Sequence, residues 1–209
     1  MSNRKKIMII EDQALLNNML KNTLSTEYDI VCTCTCAKDM MNLYQKYLPD
    51  LILTDVITLN GANGIEYAKE VKEKYGKNVK ILAITGIPEI TFLNKAKEYN
   101  LEGLIYKDID SESLIFSINQ VLKGYTLFPE NYIYNEDNEK FKNLSDKEIE
   151  IIRYLCEAKD RDEIADILNI TSGTLKNYIS NILAKLEFDN IAKLTIFCLS
   201  NGYIVPNQK

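Results

Sequence analysis

The sequence of 209 residues contains no histidine and no tryptophan. Without histidine, the chain has no Ser-His-Asp or Cys-His catalytic group, no histidine ligand for a metal and no phosphohistidine of its own. It has five cysteines, an odd number, and no export signal, so we expect free thiols rather than a disulfide framework.

Long hydrophobic runs are also missing. No apolar run approaches the ~18 residues that a membrane span needs. The block KIMII at 6–10 is too short for a secretory signal and runs directly into acidic residues. Hydrophobic residues make up 46% and charged residues 26%, which is typical of a soluble globular protein. We therefore expect a cytoplasmic protein that has no contact with the membrane.

An overall basic charge is absent as well. The formal net charge is −5, with −1 in residues 1–124, −3 in residues 125–140 and −1 in residues 141–209. Proteins that bind nucleic acids usually carry a basic surface, so a role in DNA binding has to rest on local charge.

Short apolar runs alternate with amphipathic stretches through residue 124. The runs lie at 6–10, 29–36, 50–55, 79–85 and 103–107, and the amphipathic stretches near 13–24, 37–47, 65–75, 89–98 and 111–123. Strands that alternate with helices of about 10 residues are typical of βαβ units and a parallel sheet. We therefore predict an α/β doubly wound domain with a five-stranded parallel sheet over residues 1–124, ended by Gly124 after the fifth helix.

The rest of the chain has a different pattern. Residues 125–143 are polar and acidic, and we interpret them as a linker. Residues 144–209 have helical periodicity only, which predicts an all-α domain of four helices with a helix-turn-helix at 161–180. Several residues mark its helix ends: Ser145 with Glu148 and Asp160 with Glu163 as capping boxes, a turn at Asn169 and Ile170, and a stop at Gly202 and Pro206.

Five polar side chains stand at the carboxyl ends of the predicted strands: Glu11, Asp12, Asp55, Thr85 and Lys107. These ends meet at one edge of a doubly wound sheet. Three carboxylates at one place repel each other, and a hard divalent cation such as Mg²⁺ offsets that repulsion. With a lysine and a hydroxyl to meet phosphate oxygens, a carboxylate there can act as a nucleophile toward phosphorus. Each residue alone also fits a helix cap or a solvated turn.

The five residues, in this order and spacing, resemble the receiver domain of bacterial two-component response regulators. The resemblance implies that Asp55 accepts a phosphoryl group from a sensor histidine kinase and that Thr85 and Lys107 stabilise it. It also implies a Mg²⁺ site made of the following groups: Glu11, Asp12, Asp55 and the main-chain carbonyl of Ile57.

Two features depart from the pattern of that family. The segment 56–64 lacks the usual Met-Pro after the phosphoacceptor and is one residue longer before Gly64. The switch position, usually Tyr or Phe, falls on Leu104, with Tyr106 on the same face of the strand. We therefore expect metal affinity, phosphorylation rate and the aromatic switch to differ from those of the usual receiver.

Three cysteines, Cys32, Cys34 and Cys36, alternate with threonines. In a strand, this spacing points all three thiols to one face. A metal or redox site is one interpretation, and small buried hydrophobic residues are the other. We favour the second, because no histidine or C-x-x-C pair accompanies them.

The stretch Thr171–Leu186 has two lysines and no acid. Its apolar stripe has the period of an α-helix and would face inward. The remaining side chains are candidate DNA contacts: Thr171, Thr174, Lys176, Asn177, Tyr178, Ser180, Asn181 and Lys185. Asn and Lys can bond the base edges of adenine and guanine, whereas Thr and a helix N-terminus can meet phosphate. The alternative is a solvated helix face in a protein-binding bundle.

Residues 144–188 resemble the LuxR-type helix-turn-helix. The match runs through Leu-Ser at 144–145, Glu-Ile-Ala at 163–165 and Gly-Thr-Leu-Lys at 173–176. Together with the receiver pattern, the chain resembles response regulators of the NarL/FixJ class. This implies a phosphorylation-controlled transcriptional regulator that binds double-stranded DNA and is a homodimer when active. Because Ile191 stands where the family often has Arg, we expect modest, salt-sensitive affinity.

Two other functions stay open at this point. One is a transcription factor whose receiver is a constitutive dimerisation or docking module, favoured by Leu104 and the unusual loop. The other is hydrolysis of phosphate esters through Asp55. We expect no enzyme, because no second general acid-base residue lies near Asp55 in sequence and the C-terminal domain would have no role.

Overall fold

The computed structural model describes residues 4–86, 89–129, 140–141, 143–201 and 203–204. The chain divides into two compact units, residues 1–86 with 92–129, and residues 87–91 with 130–209. Most of the predicted linker, together with Gly202 and Pro206, lies outside the described residues.

The first unit contains a five-stranded parallel sheet with flanking helices. Its strands are β1 (Lys6–Ile10), β2 (Asp29–Cys34), β3 (Leu51–Asp55), β4 (Ile57–Thr58), β5 (Ala62–Asn63), β6 (Lys80–Thr85) and β7 (Gly103–Tyr106). Its helices are α1 (Ala14–Leu24), α2 (Met40–Tyr47), α3 (Gly64–Tyr75), α4 (Ile90–Glu98) and α5 (Ser111–Lys123). The sheet order is β2-β1-β3-β6-β7, all parallel. The predicted doubly wound fold is confirmed.

The central strands are buried because helices cover both faces of the sheet. All five residues of β3 are buried, as are four of five in β1 and five of six in β6. The residue that ends α5 is Gly124, with φ of 100°, a left-handed conformation that favours glycine. The predicted stop at Gly124 is therefore confirmed. The predicted helix at 37–47 starts as a 3₁₀ turn, Ala37–Asp39, before α2 begins.

The segment after Asp55 folds as a small hairpin that the sequence pattern did not predict. Strands β4 and β5 pair antiparallel around a turn in which Asn60 and Gly61 have φ of 60° and 68°. The Asn63 side chain then accepts hydrogen bonds from the N–H groups of Ile65 and Glu66 and caps α3. This hairpin accommodates the extra residue before Gly64.

The chain after α5 returns along the edge of the sheet. The Leu127 N–H donates to the Glu102 carbonyl at 2.8 Å, and the Leu127 carbonyl accepts from Leu104 N–H at 3.0 Å. The start of the predicted linker thus pairs with β7 at Gly103.

The second unit is helical. Its helices are α6 (Asp146–Cys156), α7 (Arg161–Ile167), α8 (Ser172–Leu186) and α9 (Ile191–Ser200). The capping box of Ser145 and Glu148 is present, and the turn holds Asn169 at φ of 51°. The second predicted box was half wrong. The Asp160 side chain accepts from Glu163 N–H, but the Glu163 carboxylate pairs with Lys159 instead, at 3.1 Å.

The core of this unit contains the predicted apolar stripe of α8, and it adds an aromatic cluster. Leu175, Ile179, Ile182 and Leu186 are all buried. The aromatic cluster consists of Phe141, Phe188, Phe197 and Tyr203. Phe141 falls in the predicted linker, yet its ring stacks 4.2 Å from that of Tyr203. No helix in the described parts of the chain combines the length and apolar character needed to cross a bilayer.

Candidate functional site

The carboxyl edge of the sheet brings three acids together. Glu11 and Asp12 directly follow β1, and Asp55 ends β3, the neighbouring strand. Each of the three offers a carboxylate oxygen within 4.8 Å of the others. Glu11 is fully buried and Asp55 is 5% exposed, so these charges are removed from water rather than spread over a surface.

Lys107 neutralises part of this charge. Its ammonium lies 2.7 Å from Asp55 Oδ2 and 2.8 Å from Glu11 Oε2. Burial alone would lower the pKa of Lys107, but the hydrogen bond to Asp55 and the negative charges of Asp55 and Glu11 outweigh burial and raise that pKa. Lys107 is therefore a fixed positive charge between two acids.

The Asp55 carboxylate is costly to keep charged in the absence of a further cation. Burial raises the pKa of Asp55 to about 6, and the Glu11 charge adds to that shift. The Lys107 ammonium and the Ile57 N–H, which donates to Asp55 Oδ1 at 3.4 Å, act in the opposite direction but do not cancel it. One lysine is thus not enough to offset the cluster.

The donor set fits a hard divalent cation. Glu11 Oε2 is buried and makes no aligned hydrogen bond, so its contact with Lys107 is an ion pair only. All three carboxylates offer oxygen, the ligand atom that Mg²⁺ prefers. Glu11, Asp12 and Asp55 are the residues that would hold such an ion at this edge of the sheet.

The other predicted residues of this edge occupy different positions. Thr85 ends β6 and is buried, and its carbonyl accepts from Lys107 N–H at 2.9 Å. Leu104 is buried on β7 opposite Ala83, while Tyr106 is half-buried opposite Thr85. The carbonyl ligand at Ile57 and the switch at Leu104 stay predictions.

Gly64 lets the hairpin and α3 approach the acidic edge. Its N–H donates to the Val56 carbonyl at 2.8 Å. A Cβ at this position would lie 2.0 Å from the Asp55 carbonyl oxygen and 2.6 Å from Thr54 Oγ1. No side chain fits there without movement of the β3 backbone that carries Asp55.

We expect Gly64→Ala to destabilise the first unit by about 1–3 kcal/mol, because the added methyl group overpacks a backbone contact. Urea unfolding of both proteins measures the effect. Gly86→Ala is the control, because a Cβ there would meet only Lys107 Cδ, at an ordinary contact distance of 3.9 Å, and its backbone lies outside the left-handed region. A Gly64→Ala protein with wild-type stability would contradict the close approach.

The second unit exposes one face of α8. Lys176, Asn177, Ser180 and Asn181 are exposed, and Tyr178 is half-buried. Thr171 and Thr174 are also exposed at the helix N-terminus, where Thr171 Oγ1 accepts from Thr174 N–H at 3.1 Å. Seven of the predicted DNA contacts therefore lie on one continuous helix with no acidic side chain.

Lys185 is differently placed. Its ammonium donates to both Glu148 oxygens at 2.8 Å and to the Asn143 carbonyl at 3.4 Å. Glu148 is buried, and burial would raise its pKa, but the Lys185 and Ser145 hydrogen bonds outweigh burial and lower it. The Lys185 ammonium thus mainly stabilises the fold, through its pair with the buried Glu148. Sequence reasoning missed Lys147, whose ammonium lies 5.8 Å from the centre of the Tyr178 ring and adds a cation beside α8.

Two of the three cysteines, Cys32 and Cys34, lie on the edge strand β2, and Cys36 lies just beyond its end. Cys34 Sγ donates to the Cys36 carbonyl at 3.1 Å. Burial raises the pKa of both Cys32 and Cys34, which favours the neutral thiols. Among the residues that the structure describes, three or more potential metal ligands come together at Glu11, Asp12 and Asp55 and not at the thiols. All three thiols are half-buried, so the prediction of small buried hydrophobic residues is met only in part.

Family models match both units. The response regulator receiver domain matches residues 7–119, and the model for bacterial regulatory proteins of the luxR family matches residues 142–198. The chain is 34% identical over 189 residues to the transcriptional regulatory protein DesR of Bacillus subtilis, covering 88% of this chain and 91% of DesR. It is 24% identical to the transcriptional regulatory protein DegU of Brevibacillus brevis, covering 97% and 96% of the two chains.

Solved structures share the fold. RcsB of Salmonella enterica serovar Typhimurium, bound to a promoter in the presence of the phosphomimetic BeF₃⁻, matches with a TM-score of 0.64 and 21% identity. That match covers 95% of this chain and all of the other. An RcsB–DNA complex matches with a TM-score of 0.61 and 22% identity, over 95% of this chain and 99% of the other. With the acidic edge, the helix-turn-helix and these matches in view, the chain belongs to the two-component response regulators, as a receiver domain followed by a LuxR-type DNA-binding domain.

Proposed function

We propose that the receiver accepts a phosphoryl group on Asp55 from a sensor histidine kinase. The observation that carries this proposal is the cluster of three carboxylates within 4.8 Å, two of them buried, balanced by one lysine. Structural acids rarely gather in this way, because the desolvation cost of several carboxylates is offset only when cations neutralise them.

In this proposal, each residue at the edge has a separate role. A carboxylate oxygen of Asp55 attacks the phosphorus of the phosphohistidine, the N–P bond breaks, and the imidazole leaves. Glu11, Asp12, Asp55 and the Ile57 carbonyl would hold Mg²⁺, which would neutralise charge at this edge. Lys107, already 2.7 Å from Asp55 Oδ2, pairs with one phosphoryl oxygen, and the Thr85 hydroxyl bonds another.

The second unit is proposed to bind double-stranded DNA through the exposed face of α8. Lys176, Asn177, Ser180 and Asn181 project toward base edges, while Thr171, Thr174 and the helix N-terminus meet phosphate. Tyr178 and Lys185 contribute at the flank, Lys185 more weakly because of its pairing with Glu148. The RcsB structures bound to DNA support this role by analogy of fold.

A homodimer is the proposed active form. The first unit exposes apolar side chains on two helices, with Leu15 86% and Met19 55% exposed on α1 and Phe116 60% exposed on α5. On α9, Ile196 and Leu199 are exposed as well. Two RcsB dimers bound to DNA are among the solved structures of this fold. Dimerisation would place two helix-turn-helix units, each of modest affinity, on one DNA site.

The proposed division of the chain is a receiver at 1–124, a linker at 125–143 and a DNA-binding domain at 144–209. The proposed place of action is the cytoplasm, where a kinase's phosphohistidine and the DNA are both accessible. No enzymatic turnover is proposed, beyond slow loss of the phosphoryl group from Asp55.

A second candidate is a transcription factor whose receiver acts as a constitutive dimerisation or docking module. Leu104 favours it, because an aliphatic side chain replaces the aromatic switch. The Asp55→Ala variant distinguishes the phosphorylation-controlled regulator from the constitutive module. Loss of regulated promoter binding supports phosphorylation control, and full binding and regulation support the module.

We expect Lys176→Ala to weaken DNA binding about tenfold, since Lys176 is exposed on a face with no acid to pair it. Titration of labelled promoter fragments and of random-sequence DNA measures the effect, and because the proposal places Lys176 at a base edge, the loss should be larger on the promoter than on random sequence. Lys193→Ala is the control, because Lys193 is exposed on α9 and paired with Asp189. Equal losses in both variants would argue for a merely electrostatic attraction.

A further inference from the structure

A buried hydroxyl fastens the hairpin that follows Asp55 to the end of the edge strand. Thr58 lies in β4 and is 2% exposed. Its Oγ1 accepts a hydrogen bond from the Ala37 N–H at 3.0 Å and donates one to the Ala62 carbonyl at 2.8 Å. Ala62 lies in β5, the other hairpin strand, whereas Ala37 follows β2. The Thr58 hydroxyl therefore joins the hairpin to a segment 21 residues earlier in the sequence.

Two further hydrogen bonds hold the hairpin against the same segment. The Leu59 N–H donates to the Thr35 carbonyl at 3.1 Å, and the Cys36 thiol donates to the Leu59 carbonyl at 3.6 Å. The segment 56–64 has no proline, the residue that would fix a backbone angle by itself. The shape of the hairpin thus depends on its bonds to the end of β2.

The end of β2 is in turn bonded to the acidic edge. The Glu11 N–H donates to the Cys34 carbonyl at 2.9 Å. On the hairpin side, the Ile57 N–H donates to Asp55 Oδ1 at 3.4 Å, and the Ile57 carbonyl belongs to the peptide bond that joins Ile57 to Thr58. A continuous path of hydrogen bonds and main chain therefore links the Ile57 carbonyl, through the end of β2, to Glu11.

We infer that Thr58 is a positioning residue for the divalent cation of the acidic edge and acts through the Ile57 carbonyl. The inference rests on the proposed Mg²⁺ site. The hydroxyl holds the Ile57 carbonyl in a fixed place relative to the carboxylates of Glu11 and Asp55. Mg²⁺ demands near-ideal octahedral geometry, whereas Ca²⁺ accepts flexible geometry. Without the hydroxyl, the site should lose Mg²⁺ affinity and much of its preference for Mg²⁺ over Ca²⁺.

A purely structural role of Thr58 predicts a different result. The loss of two buried hydrogen bonds lowers the free energy of unfolding wherever in the fold they lie. Such a loss would weaken the binding of Mg²⁺ and Ca²⁺ equally or leave both unchanged. The ratio of the two affinities therefore distinguishes a positioning role from a stabilising one.

The test compares Thr58→Val, which removes the hydroxyl and nearly keeps the shape, with Thr58→Ser, which keeps the hydroxyl. Titration of the metal-free full chain with MgCl₂ or CaCl₂, followed by amide NMR shifts, gives a dissociation constant for each ion. We expect Thr58→Val to raise the constant for Mg²⁺ about tenfold and that for Ca²⁺ less than about threefold. Thr58→Ser should stay within about twofold of the wild type for both ions.

Thr33→Val is the matched control, because Thr33 is exposed on β2 and the same change there should alter neither constant. Urea unfolding without either ion measures stability separately, and Thr58→Ala replaces Thr58→Val if the valine variant does not fold. Equal loss of affinity for both ions, or unchanged binding of both, would overturn this inference alone and leave the acidic metal site in place. A wild type that binds neither ion would overturn the proposed metal site and the inference with it.

Discussion

Asp55→Asn is expected to lose phosphoryl labelling by acetyl phosphate at least about 100-fold relative to the wild type. The amide has no nucleophilic carboxylate oxygen, and its carbonyl is a poorer ligand for Mg²⁺ beside Glu11 and Asp12. Incubation of the purified protein with acetyl phosphate and Mg²⁺, followed by intact-mass analysis, measures the added phosphoryl group. Omission of Mg²⁺ should lower labelling of the wild type strongly as well.

The matched control is Asp50→Asn, the same change at the opposite end of the same strand. Asp50 immediately precedes β3, and its carboxylate bonds Lys5 Nζ at 2.7 Å and Lys6 N–H at 2.8 Å. That variant should label like the wild type. Equal labelling of Asp55→Asn and the wild type would show that another residue carries the phosphoryl group and would reject Asp55 as the phosphoacceptor.

Lys107→Gln is expected to lower the free energy of unfolding of the receiver by about 3–5 kcal/mol at pH 8 without Mg²⁺. The substitution leaves the buried Glu11 and Asp55 carboxylates without their cation, and unpaired buried charges are costly. Mg²⁺ should restore part of the lost free energy of unfolding, because it also neutralises the Glu11 and Asp55 carboxylates. Urea unfolding with and without the ion measures both effects.

The pH dependence of this loss has a defined sign. A carboxyl whose folded pKa is raised destabilises the fold when charged, and that cost disappears as pH falls through the folded value. Since the pKa of Asp55 is already raised to about 6 with Lys107 present, the deficit of Lys107→Gln should shrink from pH 8 toward pH 5.5.

Lys5→Gln is the control for removal of a lysine from an ion pair with an aspartate. Lys5 is 57% exposed in its pair with Asp50, so its loss should cost less than about 1 kcal/mol and should not respond to Mg²⁺. A deficit of similar size in both variants, or one that Mg²⁺ leaves unchanged, would contradict the electrostatic description of the acidic edge.

The parallel sheet was predictable because apolar runs of the central strands are continuous and strand-end residues follow a fixed order. The α8 face was predictable for a similar reason, since the apolar stripe fixes which side chains face inward. Both features depend on periodicity, which is local in sequence.

The features that sequence did not predict depend on backbone conformation or on contacts between residues distant in sequence, which side-chain periodicity does not report. The β4–β5 hairpin forms where two residues adopt left-handed backbone, and Leu127 joins the sheet edge through main-chain bonds that no side-chain pattern reports. Lys185 has the sequence position of a DNA contact, but its ammonium binds Glu148 of another helix.

The central claim is that phosphate on Asp55 changes how tightly α8 holds DNA. The most direct measurement is a titration of the purified chain against genomic DNA fragments, with and without acetyl phosphate and Mg²⁺, for the wild type and for Asp55→Asn. We expect the phosphoryl donor to tighten binding of the wild type about fivefold or more and to leave Asp55→Asn unchanged. Identical affinities for phosphorylated and unphosphorylated wild type would contradict the claim.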